Sequence, residues 1–119
     1  MKIFDKLIFS TVLILTAILS AQDFEDLYFG TDSTFEILTW NIEWFPKNGQ
    51  TTVDYVTEII QALEIDILAI QEVDDTVFFD QMLENLTDYE GYYESAWFAG
   101  LAYIYKTDVV EINEIYEIY

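Results

Sequence analysis

Apolar and polar positions fall along this chain in blocks whose period changes. From Phe35 to Asn41, Phe35, Ile37 and Thr39 point one way and Glu36, Leu38 and Trp40 the other. Both sides are apolar apart from one position, the pattern predicted for an interior strand. Residues 46–50 read as a loop, with Asn48-Gly49 as its turn signal. Val53, Val56, Ile59, Ile60 and Leu63 then recur at helical spacing and predict a helix over 53–64, capped by Thr51 or Thr52. A second strand follows over Ile67 to Gln71. Strand, helix and strand in this order predict a βαβ-like unit, or two neighbouring strands of a mixed sheet. A second helix is predicted over 76–86, with Phe78, Phe79, Met82, Leu83 and Leu86 as its apolar stripe and Asp74 or Asp75 at its N-cap. Beyond Gly91 come short aromatic and β-branched runs, at 92–97, 100–105 and 109–119. The last also fits a helix face, through Ile112, Ile115, Tyr116 and Tyr119, but its residue types favour a strand. No internal repeat or second domain is visible.

The N-terminus stands apart from this pattern. Lys2 and Lys6 precede an apolar run from Leu7 to Leu19, broken only by Ser10, Thr11 and Thr16 and followed by Ser20-Ala21. A basic start, an apolar stretch and small residues form the three parts of a secretory signal. The run is shorter than the roughly 20 residues of a membrane span. The expected division is a signal peptide over 1–21, an N-terminal lead over 22–34 with a turn at Gly30, and a folded domain over 35–119. An uncleaved N-terminal anchor is the alternative, since Leu19 is an imperfect residue three positions before the cleavage point. The implied location is secreted or periplasmic, with no stable membrane association after cleavage.

Charge narrows the choice of partners. The chain has 4 basic and 23 acidic residues. Lys2, Lys6 and Asp5 precede Gln22, so residues 22–119 carry a formal charge of −20. The acids are dispersed among many aromatic and aliphatic residues, so the segment can fold. Such a field repels phosphate backbones, and no basic patch offsets it. A phosphate-bearing substrate would therefore need a divalent cation for much of its attraction. The chain has no cysteine, which excludes disulfides and thiolate metal sites, and no histidine.

The candidate chemistry lies at two strand ends. Asn41 closes the first strand, and Glu72, thirty-one positions later, closes the second. Neighbouring strands would bring this amide and carboxylate to one sheet edge, where oxygen ligands suit Mg²⁺, Mn²⁺ or Ca²⁺. Singly, each has a plainer reading, as a turn-closing asparagine and a solvated acid. The segments Thr39-Trp40-Asn41-Ile42, Asp66-Ile67-Leu68-Ala69-Ile70-Gln71-Glu72-Val73 and Gly100-Leu101-Ala102-Tyr103-Ile104-Tyr105-Lys106 resemble, in order and spacing, the opening of the endonuclease/exonuclease/phosphatase superfamily. The resemblance covers about Phe35 to Val110. It implies an α/β chain forming the N-terminal part of a four-layer sandwich of deoxyribonuclease-I-like fold, with mixed sheets and flanking helices.

The resemblance further implies that Glu72 is a metal ligand. It makes Asn41 both a metal-site and a catalytic residue, beside cation and scissile phosphate, and gives Gln71 a supporting role. The implied reaction is metal-assisted hydrolysis of a phosphodiester, with Mg²⁺ (or Mn²⁺ or Ca²⁺) as cofactor and nucleic acid as the first-choice substrate. Phosphoinositide or sphingomyelin phosphoesterases are the family alternative, and a non-catalytic secreted acidic module is the alternative for these residues alone. The family's chemistry also draws on a histidine–aspartate pair and further ligands from later motifs, which are not in this sequence. The expectation is therefore an N-terminal fragment of a longer enzyme. Trp40, Trp44 and Phe45 read as packing residues, Asp74-Asp75 as a cap and solvated pair, and Lys106 as a turn residue. No protein partner is inferable.

Overall fold

The computed structural model describes residues 24–94 and 99–116. The expected signal segment lies outside the described residues, as do Trp97 and the last three positions of the final expected strand. After a 3-10 turn at Glu25–Leu27 come β1 (Ile37–Phe45), α1 (Gln50–Leu63), β2 (Ile67–Val73), α2 (Thr76–Asn85), β3 (Tyr89–Glu94) and β4 (Gly100–Lys106). The strands form one mixed sheet in the order β1-β2-β4-β3. β1 is parallel to β2, whereas β4 runs antiparallel to both β2 and β3. No helix among the described residues is long and apolar enough to cross a membrane.

Register explains how the core is assembled. Leu38 pairs with Leu68 and Trp40 with Ile70. Leu68 pairs in turn with Ile104 and Ile70 with Ala102. Tyr93 lies opposite Ala102 and Gly91 opposite Ile104. In strands, alternate residues share a face, so this row lines one side of the sheet. Val53, Val56 and Ile60 of α1, and Phe79 and Met82 of α2, pack against it in a single buried cluster. Each such aliphatic or aromatic burial contributes about 1.5–3 kcal/mol. The opposite row is open: Ile37, Leu101 and Tyr103 are 63%, 51% and 52% exposed. Ile112, Glu114, Ile115 and Tyr116, together with Tyr92, Glu94, Tyr103 and Tyr105, line a cavity of about 500 Å³ on that open side.

Several expectations change. β1 starts two residues later than expected and is an edge strand of the described sheet, with β2 as its neighbour. Apolarity on both sides of a strand reports layers above and below it, and says nothing about in-plane neighbours. α1 begins at Gln50, and neither threonine caps it. Gly49 is the N-cap without a side-chain bond, because the Thr52 hydroxyl is used by the loop, accepting from the Asn48 N–H at 3.1 Å. Asp75 caps α2 as expected, accepting from the Val77 and Phe78 N–H groups at 2.9 and 3.2 Å. Gly91 does not end a block but lies inside β3, where an added Cβ would come within 2.9 Å of Leu83 on α2. There glycine permits close helix approach rather than a turn. Residues 111–116 are not a strand, because a turn held by the Val110 N–H to the Lys106 carbonyl (2.9 Å) carries the chain off the sheet. Lys106 ends β4 and pairs loosely with Glu64, at 3.7 Å.

Candidate metal centre

Asn41 does not close its strand. It sits within β1, paired in register with Gln71, and pairing resumes only at Phe45 with Val73. Ile42, Glu43 and Trp44 thus lie opposite the single residue Glu72. On its other side β2 is interrupted at the same point, with Gln71 opposite Leu101 and Val73 opposite Gly100. Glu72 is therefore the irregular residue of β2 toward both neighbours. Its φ is 64°, and those of Glu43 and Trp44 are 43° and 59°. A left-handed backbone at non-glycine residues costs about 1–2 kcal/mol each, so the surroundings must hold it. Phe45 and Val73, both fully buried, anchor the chain beyond the bulge. The Asp74 and Asp75 N–H groups both donate to the Phe45 carbonyl, at 2.9 and 3.2 Å.

This irregularity brings the two candidate residues together. Asn41 Nδ2 donates to Glu72 Oε1 at 2.8 Å, and the Glu43 N–H donates to Asn41 Oδ1 at 3.0 Å. Gln71 points elsewhere along the strand pair, its Nε2 donating to Thr39 Oγ1 (2.9 Å) and the Ala69 carbonyl (3.2 Å). Lys47 Nζ lies 2.5 Å from Glu43 Oε1, an exposed pair beside the bulge. Bulges concentrate next to functional sites, where they re-aim a side chain. Here the re-aimed group is a half-buried carboxylate.

Sequence reasoning named Asn41 and Glu72 but missed Glu43 and Thr39, which orient Asn41 and Gln71. No glycine or asparagine at 43, 44 or 72 marked the left-handed positions. The one available signal was Glu43, a charge inside an otherwise apolar stretch.

The donor set restricts the kind of cation that suits the site. Among the described residues no group of three or more histidine, cysteine, aspartate or glutamate side chains is placed to hold a metal. A dedicated protein cage is thus not what these residues offer. Mg²⁺ commonly takes one or two carboxylates and completes its shell with water and substrate phosphate. A single carboxylate braced by an amide fits that mode.

A family model, described as the Endonuclease/Exonuclease/phosphatase family, matches residues 38–117. The chain belongs to that family. No curated protein and no solved structure matches it. The family is one of phosphoesterases and nucleases, whose members are generally dependent on a divalent metal. The four-stranded mixed sheet with flanking helices is consistent with part of a deoxyribonuclease-I-like fold. Its sheet and helices make two layers of the four-layer sandwich implied by the motifs.

Proposed function

We propose that these residues form the Glu72 half of a metal-dependent phosphodiesterase site, with nucleic acid as the substrate. The carrying observation is the Asn41 Nδ2–Glu72 Oε1 bond of 2.8 Å across a doubly irregular point of the sheet. Glu72 would hold a hard divalent cation, with Mg²⁺ the best fit to a lone carboxylate. Once bound, such a cation supplies charge stabilisation to a phosphoryl oxygen. Asn41 keeps the carboxylate in place. The acidic surface is compatible with this reading because it attracts the cation, whose charge then offsets the repulsion of the phosphate.

Proton transfer in the reaction needs a positioned acid–base group, worth about 10²–10⁴-fold in rate. No histidine is available among these 119 residues to serve. For these residues alone, the reading is accordingly cation binding without turnover. Secretion belongs to the same proposal and rests on Lys2, Lys6, the apolar run Leu7 to Leu19, and Ser20-Ala21. Mass spectrometry of exported protein should find an N-terminus near Gln22, and intact Met1 in the membrane fraction would refute cleavage.

The site itself is tested by calorimetric titration of the full chain with Mg²⁺, and by electron paramagnetic resonance with Mn²⁺. Glu72→Ala should abolish binding in both. Unchanged affinity in that variant would overturn the assignment.

A further inference from the structure

We infer that Asn41 is a positioning residue for Glu72 and not itself a cation ligand, its amide being locked in the donating orientation by the peptide N–H of Glu43. The inference rests on the cation-binding reading of Glu72 and specifies how that site is built. Two independent contacts fix the amide. A backbone N–H can only donate, so the Asn41 atom that meets the Glu43 N–H at 3.0 Å is the oxygen. An ionised carboxylate can only accept, so the atom that meets Glu72 Oε1 at 2.8 Å is the nitrogen. Both contacts require the same orientation. A flipped amide would set oxygen against carboxylate and NH₂ against N–H, losing both bonds at once.

The backbone shows where this lock comes from. Ile42, Glu43 and Trp44 lie opposite the single residue Glu72, and Glu43 and Trp44 have φ of 43° and 59°. An extended strand would send the Glu43 N–H along the sheet's ordinary hydrogen-bonding direction. The left-handed turn instead bends it back over two residues to Asn41. A carboxylate has about four acceptor positions; Asn41 uses one, and the others remain for a cation and its water. The arrangement matches the general pattern in which a partner hydrogen-bonded to a ligating group orients it, and whose loss costs about 10–100-fold in affinity.

The test is Mg²⁺ titration of the ¹³C,¹⁵N-labelled full chain followed by nuclear magnetic resonance, with affinities from calorimetry. Without Mg²⁺, one Asn41 Nδ2 proton should be shifted and slow to exchange, and should return toward the free-amide position in Glu72→Ala. On adding Mg²⁺, Glu72 Cδ should move well beyond Asn41 Cγ. Asn41→Ala should weaken Mg²⁺ about 10–100-fold. If Asn41 Cγ moves as far as Glu72 Cδ, or Asn41→Ala leaves the Mg²⁺ affinity unchanged, the inference is overturned. Full Mg²⁺ affinity in Glu72→Ala would instead sink the cation-binding reading, while the metal-free Nδ2 signal still decides whether the two side chains are coupled. Should the variants fail to fold, that signal in the unaltered chain decides alone, and a free-amide position would overturn the inference.

Discussion

β1 and β2 are tied near both ends by a carboxylate, and the two ties share spacing and bond length but differ in burial and in the backbone around them. At one end Asp66 Oδ2 accepts from the Glu36 N–H at 2.8 Å across 30 residues. At the other, Glu72 Oε1 accepts from Asn41 Nδ2 at 2.8 Å across 31 residues. Asp66 and Glu36 are only 6% and 8% exposed, whereas Asn41 is exposed and Glu72 half-buried. At the first end the chain meets its own needs. The Glu36 carboxylate accepts from the Thr34 hydroxyl and the Thr31 N–H, and the Lys106 N–H donates to the Asp66 carbonyl. At the second the backbone is irregular and the carboxylate has capacity to spare. The same bond serves cohesion where it is enclosed and leaves capacity for a ligand where it is open. Burial and backbone regularity distinguish the two ends; sequence separation does not.

Opposite responses to the same truncation would show this most directly. Asp66→Ala leaves a buried N–H at Glu36 without its acceptor, which costs about 1–3 kcal/mol. Its urea midpoint should fall while Mg²⁺ affinity stays within twofold. Glu72→Ala should do the reverse, costing about 1 kcal/mol or less for the one hydrogen bond it removes, while Mg²⁺ binding is lost. Asp66→Asn keeps an acceptor and should recover most of the stability. Equal loss of stability in both alanine variants would erase the distinction between the ends.

What the sequence disclosed follows the same division. The periodic blocks named both helices and the β1–β2 neighbours, because repeating burial leaves a repeating pattern. The Asp75 cap was legible for a related reason, since N-caps use few residue types. Asn41 and Glu72 were legible through their setting in three ordered motifs. The bulge was not. It depends on left-handed backbone at glutamate and tryptophan, held by the burial of Phe45 and Val73, and such conformations leave no local mark when no glycine is used. Nor did the in-plane order emerge, because strand composition reports the layers above and below. The described part of the last run, 109–116, was misread because strand-forming residues still need an edge to pair with, and the turn after Lys106 removes it.

A smaller effect tests how far the open end extends. Asp75 lies three residues beyond Glu72, yet its Oδ1 is engaged by two N–H groups of α2. Asp75→Ala should therefore cost about 1 kcal/mol, the usual loss of an N-cap, and leave Mg²⁺ affinity unchanged. Asp75→Asn should restore stability, since asparagine caps equally well. A drop in affinity in both variants would enlarge the metal centre to include Asp75 and move the boundary between the ends beyond α2's first turn.

The smallest effect at neutral pH concerns the enclosed end, where one polar atom is left over. Tyr89 pairs in register with Lys106, is 9% exposed, and its buried hydroxyl has no hydrogen-bond partner among the described residues. Burial pushes the phenol above its ordinary range, and the carboxylates of Glu64, Asp66, Asp88 and Asp108 push it further. A raised pKa means the folded state keeps the proton that the unfolded state gives up. Below the ordinary tyrosine value of about 10 both states hold it, and the contribution to stability is complete. As pH rises through that value only the unfolded chain ionises, so folding weakens progressively until the folded phenol also titrates. Tyr89→Phe removes this dependence together with an unpartnered hydroxyl, a change that is close to neutral or stabilising when the shape is kept. Urea unfolding at pH 7 should therefore find the variant at or slightly above the parent. At pH 11 the variant should lead by a clearly larger margin. A margin that does not grow between these pH values would mean the hydroxyl is solvated in the folded state, and the enclosed end would be less closed than its carboxylates indicate.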